Sequence, residues 1–334
     1  MKKLFIFLSA AFLGYSASGQ TTQKQPTPEY ITCVTPPEDL ISLPGTNWII
    51  VSCIATKEKL GKVLAVDITD KQKTPATIIT AGDKGVSEKF TPHGINLQKT
   101  GNGKYKLYVI NHGGKESVEV FDITAGKESI QAVWTESIAS PANTAANAVA
   151  VRPDGSVFIS KMYDPTDKFV EKAYKGEPTG QVLKWSRDRG WAPAEEKMLS
   201  YPNGLEISPD GRYLFVTEWA NKRLWRFPLD GSGKESFVTL SFLPDNLRWT
   251  SKGTLLLAGQ RATPEELFTC IGKGAGCPAG FAVIEVNPAT LKYRTLLDAG
   301  DENFNVVSGA IMLPDGLWVG SAFANRLAYY SQIK

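Results

Sequence analysis

Histidine is nearly absent from this chain of 334 residues, which carries two, His93 and His112. Histidine is the one side chain whose unperturbed pKa falls between pH 5 and 8, so acid–base work near neutrality points first to these two. Cysteine is scarce too. Cys33, Cys53, Cys270 and Cys277 form no C-x-x-C pair and have no histidine nearby in sequence, which disfavours tetrahedral zinc. There is no G-x-S-x-G elbow and no H-E-x-x-H helix, so serine-hydrolase and zincin chemistry have no motif to rest on. Convincing amphipathic helices are nearly missing. Net charge is small as well. It is +3 for the whole chain and about +1 without Lys2 and Lys3, which argues against nucleic acid as a partner.

Long apolar runs are also lacking, and the one short run sits at the start. Lys2 and Lys3 precede the apolar stretch Leu4 to Leu13, and Ala17-Ser18-Gly19 is a small-residue cleavage site. The pattern predicts a signal peptide over 1–19, too short to span a bilayer, and a mature chain from Gln20. The expected product is exported, periplasmic or secreted, with a short n-region of bacterial type and no stable membrane insertion. Export permits disulfides. Cys270 and Cys277 flank the glycine-rich stretch 271–276, so a bridge is expected there, with Cys33–Cys53 as the other pair.

What is present is a repeat. A polar residue opens an alternating apolar strand, a turn follows, and a second apolar strand comes after it. Copies open at Glu38, His93, Asn147, Asn203, Asp245 and Ser308. Three of their turns are Pro-Asp-Gly, at Pro153, Pro209 and Pro314, where proline presets φ, aspartate bonds the local backbone and glycine accepts positive φ. Further strand candidates follow each pair. About 50 residues and four strands per copy, six times over, predict an all-β six-bladed β-propeller. The domain is expected over 33–334, after an N-terminal extension over 20–32.

In a propeller the first strand of each blade starts beside the central axis. The residues opening the six repeats therefore converge on one tunnel mouth, and all six are polar. A solvated tunnel mouth is the plain alternative. Carboxylate and carboxamide oxygens around one point suit a hard cation, and Ca²⁺ takes six to eight such ligands in flexible geometry. Glu38, Asn147, Asn203, Asp245 and Asn246 supply five oxygen-bearing side chains for a central metal site.

In these motifs the chain resembles the paraoxonase/arylesterase family of calcium-dependent lactonases. More distantly it is similar to the gluconolactonase/regucalcin and strictosidine-synthase-like propellers. The resemblance rests on Glu38-Asp39-Leu40, on Pro92-His93-Gly94-Ile95 with Asn111-His112, on the stretch 203–218, and on Asp245-Asn246. It implies that Glu38, Asn147, Asn203, Asp245 and Asn246 hold a catalytic Ca²⁺, with His93 and His112 as the histidine dyad. It also implies a second, structural Ca²⁺ on Asp39 and the Ile95 carbonyl. The family's third ligand to that ion is an aspartate, where this chain has Ala148. The family's disulfide between the two ends of the chain is missing too, since the last cysteine is Cys277.

The expected activity is calcium-dependent hydrolysis of small-molecule lactones or aryl esters. Metal polarises the carbonyl, and His93, oriented by His112, activates water. Insertions over 161–180 and 260–280 leave equivalent strands and are expected to cover the site, with Tyr163, Phe169, Tyr174, Trp219 and Phe268 as candidate pocket aromatics. Two alternatives remain. One is a gluconolactonase-like sugar lactonase, which the histidine pair disfavours. The other is a non-catalytic binding propeller, since fold does not fix function. The sequence sets neither the native substrate nor the oligomeric state.

Overall fold

A computed structural model describes residues 26–33, 35–273, 277, 279–300 and 304–333. The expected signal peptide lies outside the described residues. The rest forms six antiparallel sheets of four strands each. In blades 1 to 5 the four strands run in chain order. First strands are Pro37–Ser42, Pro92–Gly101, Ala145–Val151, Pro202–Ile207, Leu243–Trp249 and Val307–Leu313. Each touches the first strand of the blades on either side, and the contacts close into a ring. The protein is a six-bladed β-propeller.

Blade 6 closes the ring with both ends of the chain. Glu29–Thr32 pairs antiparallel with Arg326–Tyr330, with Tyr30 opposite Ala328. The propeller thus begins before residue 33, and part of the expected extension is its outermost strand. The physical reason is edge pairing: strand Arg326–Tyr330 would otherwise present unpaired N–H and C=O groups.

The sequences of the strands account for their packing. A strand such as Tyr213–Glu218 puts alternate side chains on opposite sheet faces, and each face meets a neighbouring blade. Apolar residues are needed on both, hence near-continuous runs such as Leu-Phe-Val. Six apolar clusters fill the six blade-to-blade interfaces. Turns close as their chemistry demands: Ser208 Oγ and Asp210 Oδ1 are 2.5 Å apart, and Gly211 takes φ +72°.

The two expected disulfides are not formed. All four cysteines are free thiols. The expected partners are neighbours all the same, with Cys33 in hydrogen-bond contact with Cys53 and Cys270 with Cys277. Burial, then the neighbouring thiol, pushes Cys53 well up and Cys277 to about 12.

Candidate functional site

The site is built where the first strands begin. In every blade the ladder between first and second strands slips there, for example between Pro37 and Asp39, Pro92 and Ile95, and Pro244 and Leu247. A bulge re-aims a side chain, and six in register turn six side chains toward the axis. Two glycines allow the close approach this needs. A Cβ on Gly94 would stand 2.3 Å from the Asn147 carbonyl oxygen, and one on Gly204 2.6 Å from that of Asp245. Hydroxyls on the second strands lock neighbouring blades together. Ala148 N–H donates to Ser160 Oγ (2.9 Å), which donates to the Asn203 carbonyl (2.5 Å). Gly204 N–H donates to Thr217 Oγ1 (2.7 Å), which donates to the Asp245 carbonyl (2.8 Å). In blade 6, Ser308 Oγ donates to the Glu38 carbonyl at 2.6 Å, so it ties the ring.

The five expected oxygen donors come together. Asn246 Nδ2 donates to Glu38 Oε1 at 2.7 Å. Gln260 Nε2 donates to Asp245 Oδ2 at 2.7 Å, and the Asn203 side chain bonds Asp245 as well. His93 Nε2 lies 3.7 Å from Glu38 Oε1, and Asn147 Nδ2 is 3.4 Å from that same nitrogen. Each of the five then has one buried oxygen with no hydrogen-bond partner: Glu38 Oε2, Asn147 Oδ1, Asn203 Oδ1, Asp245 Oδ1 and Asn246 Oδ1. A single such atom costs about 1–3 kcal/mol, so five at one place mark a site made for something that binds oxygen. Burial, and then the charges of Asp39 and Asp245, raise the Glu38 carboxyl well above its usual range. Burial raises Asp245 to about 7 against the pull of Gln260. The charge of Arg248 offsets the rise at Glu38 only in part, and two buried carboxyls raised in this way are electrostatically short of a cation. Among the described residues no three of His, Cys, Asp and Glu form a metal-binding group, because three of these five donors are carboxamides.

The two histidines are in contact. His93 Nδ1 is 2.8 Å from His112 Nε2, and His112 Nδ1 is 3.0 and 2.9 Å from the two oxygens of Glu116. This network assigns the tautomers. Glu116 accepts only, so His112 Nδ1 carries a proton and His112 Nε2 accepts. His93 Nδ1 therefore donates, and His93 Nε2 presents its lone pair to the oxygen cluster, where the Asn147 Nδ2 amide meets it at 3.4 Å. Glu116 is itself held by the Ala146 N–H at 2.7 Å. Burial, and then the His112 ring, hold His93 well below the usual histidine range, so the ring is neutral.

Asp39 and Ile95, expected to share a structural ion, meet at a second point. What they meet there is the guanidinium of Arg248. Arg248 Nη2 donates to Asp39 Oδ2 and to the Ile95 carbonyl (2.7 Å). Nη1 donates to Glu206 Oε1 (3.2 Å) and the Leu247 carbonyl (2.9 Å), and Nε to the Leu40 carbonyl (3.1 Å).

Above the mouth lie the two insertions. They carry helices α1 (Phe169–Tyr174) and α2 (Pro264–Lys273), which touch each other. All five candidate aromatics join one cluster around Tyr201. Tyr163 stacks on Phe169 with centroids 3.6 Å apart, Tyr174 packs on Phe268, and Tyr201 lies 5.0 Å from Trp219 and 5.7 Å from Phe268. Burial, then Tyr163 and Asp245, raise the Tyr201 hydroxyl.

Comparison with known proteins agrees with this architecture. Residues 52–263 match the family model described as SMP-30/Gluconolactonase/LRE-like region. The chain belongs to that family. Serum paraoxonase/arylesterase 1 of Homo sapiens is 26% identical over 163 residues, 47% of this chain and 44% of that protein. Protein STRICTOSIDINE SYNTHASE-LIKE 13 of Arabidopsis thaliana is 31% identical over 119 residues, 34% of this chain and 29% of that protein. The chain thus spans less than half the length of these curated relatives. Among solved structures, a luciferin-regenerating enzyme superposes with a TM-score of 0.60 at 14% identity, covering 91% of this chain and 94% of that one. Regucalcin from Agrobacterium tumefaciens, described as a calcium-binding protein, gives 0.55 at 13%, covering 92% and 94%. At such identities these likenesses establish the fold alone.

Sequence reasoning missed several members of the site. Glu116, Gln260 and Tyr201 carry no motif. Ser160 and Thr217 had a usable signal, because each is the hydroxyl residue closing the apolar core of a second strand. Glu206 and Arg248 had one too. Each lies three residues after its blade's opening residue, an otherwise mostly apolar column of Ile41, Asn96, Ala150 and Ile311.

Proposed function

We propose that this chain is an exported, calcium-dependent hydrolase of lactones or aryl esters. The observation that carries the reading is the set of five orphaned buried oxygens beside the unprotonated Nε2 of His93. Two carboxylates and three carboxamides fit Ca²⁺, which favours many oxygen ligands, and fit zinc poorly. Glu38, Asn147, Asn203, Asp245 and Asn246 would hold the ion, which supplies a Lewis acid for a carbonyl oxygen.

The remaining chemistry belongs to the chain. His93 Nε2 accepts a proton from water as that water attacks the carbonyl carbon. The imidazolium so formed keeps its Nδ1–H on His112 Nε2, and His112 keeps its own Nδ1–H on Glu116. The carboxylate thus stabilises the charge one ring away. The proton then leaves His93 Nε2 for the departing alkoxide or phenoxide. The aromatic cluster excludes water on one side and favours an apolar or aromatic substrate.

The family match also favours a sugar lactonase on the same scaffold. A panel of aliphatic lactones, aryl esters and sugar lactones, assayed with Ca²⁺ and after chelation, separates the readings. Turnover of lactones or aryl esters, lost with chelator and restored by Ca²⁺, is the expected result. Turnover confined to sugar lactones transfers the assignment, and no Ca²⁺-dependent turnover of any substrate overturns it.

A further inference from the structure

The second point in the tunnel disagrees with the two-ion arrangement the family resemblance implies. A structural Ca²⁺ there needs open oxygen ligands, and those present are taken. Asp39 Oδ1 accepts the Leu40 N–H at 2.8 Å, and Asp39 Oδ2 accepts the Ile95 N–H at 2.9 Å as well as Arg248. The Ile95 carbonyl accepts Arg248. Ala148, where the resemblance wants a carboxylate as third ligand, offers a methyl group.

Arg248 is as complete as the cage is incomplete. A guanidinium has five N–H donors, and its five acceptors are Asp39, Ile95, Glu206, Leu247 and Leu40. Arg248 is 4% exposed, Asp39 1% and Glu206 7%, so water does not compete for these bonds. The acceptors come from blades 1, 2, 4 and 5, so one side chain ties four blades across the axis. None of Arg248's nitrogens and neither Asp39 oxygen is among the orphaned buried atoms.

We infer that the Arg248 guanidinium is the resident cation at this second point, standing where a structural Ca²⁺ would stand, so that the propeller takes no second ion. A tethered cation cannot be chelated away, and the tunnel core stays closed whatever the calcium concentration. That the total is one Ca²⁺ per chain, rather than none, rests on the cage reading above.

The test counts bound calcium, with CaCl₂ as the only probe, in the wild-type protein and in Asp245→Ala, which disables the cage. Equilibrium dialysis and thermal denaturation serve as readouts. One ion in the wild type and none in Asp245→Ala is the expected result, with the midpoint of Asp245→Ala indifferent to Ca²⁺ or chelator. Zero in both proteins removes the cage reading but supports this inference, which excludes an ion only at the second point. Two ions in the wild type, or one bound by Asp245→Ala with undiminished affinity, overturns it. Arg248→Gln adds a second arm. It is expected to lower the midpoint sharply and to gain stability from millimolar Ca²⁺, through the vacated oxygens of Asp39, Glu206 and Ile95. An Arg248→Gln protein as stable as wild type without Ca²⁺ would contradict a tethered cation.

Discussion

Two clusters of buried oxygens share one tunnel and are handled in opposite ways. At the mouth, Glu38, Asn147, Asn203, Asp245 and Asn246 each keep an oxygen without a partner. Deeper along the strands, Asp39 and Glu206 face a guanidinium, and every N–H of Arg248 has an acceptor. The first arrangement is costly unless something binds, since each orphaned atom forfeits its hydration. The second is complete as folded. Unsatisfied groups therefore mark the proposed binding site, and satisfied ones the scaffold around it. Acidity alone would not separate the two, since both clusters hold two carboxylates.

The largest effect expected is on the incomplete cluster. Asp245→Ala removes one of two carboxylates from the cage and should abolish calcium-dependent turnover, with calcium affinity falling by at least about 100-fold in a titration. Retained calcium affinity would break the distinction between the clusters. Next comes His93→Gln, which keeps a polar side chain but lacks a basic nitrogen. Turnover should fall by about 10² to 10⁴, the usual worth of a general base, while calcium affinity and the thermal midpoint stay within error. A matching loss of calcium affinity would move His93 from base to ligand.

Glu116→Gln is expected to cost less, because Glu116 positions a ring rather than touching substrate. Turnover should drop by about 10-fold, as for partners that orient a ligand or base. The acid limb of the rate profile should also move to lower pH. The sign follows from charge: the imidazolium formed on the pair loses its carboxylate, so it is protonated less readily. Rescue of both by Glu116→Asp separates positioning from packing, and a drop in rate without the pH shift argues for packing alone.

How much of this was legible beforehand follows from the same two clusters. The mouth was readable because a propeller converts alignment into convergence: residues opening six repeats must meet, wherever they stand in sequence. Four of the five orphaned oxygens belong to residues that open a repeat, Glu38, Asn147, Asn203 and Asp245, and the fifth to Asn246 directly after one. Arg248 was not readable in that way. It lies in a different column, and its partners Asp39, Ile95 and Glu206 come from three other blades, so no local spacing links them. Glu116 escaped for a related reason. It sits four residues after His112 on a turn, and its use depends on that turn folding the carboxylate back onto the ring. The cysteines teach the converse, since proximity was legible and the bond was not: the fold brings Cys33 beside Cys53 and Cys270 beside Cys277, and no disulfide joins either pair.

The smallest effect expected tests how finely the clusters are supported. Thr217→Val keeps shape but removes the hydroxyl between the Gly204 N–H and the Asp245 carbonyl. Both groups lie beside cage residues, so the loss of stability should be about 1–3 kcal/mol, the cost of leaving a buried polar group unmade. Calcium affinity should weaken with it, because the Asp245 backbone is no longer pinned. Ser52→Ala is the matching change at the filled cluster. There the hydroxyl reaches the Asp39 carbonyl at 3.5 Å, a long and weak bond, and Arg248 holds Asp39 from the other side. Its midpoint should scarcely move, and its calcium affinity should not change. Equal calcium defects in the two variants would mean that the clusters act as one unit, and that the guanidinium supports the cage rather than standing apart from it.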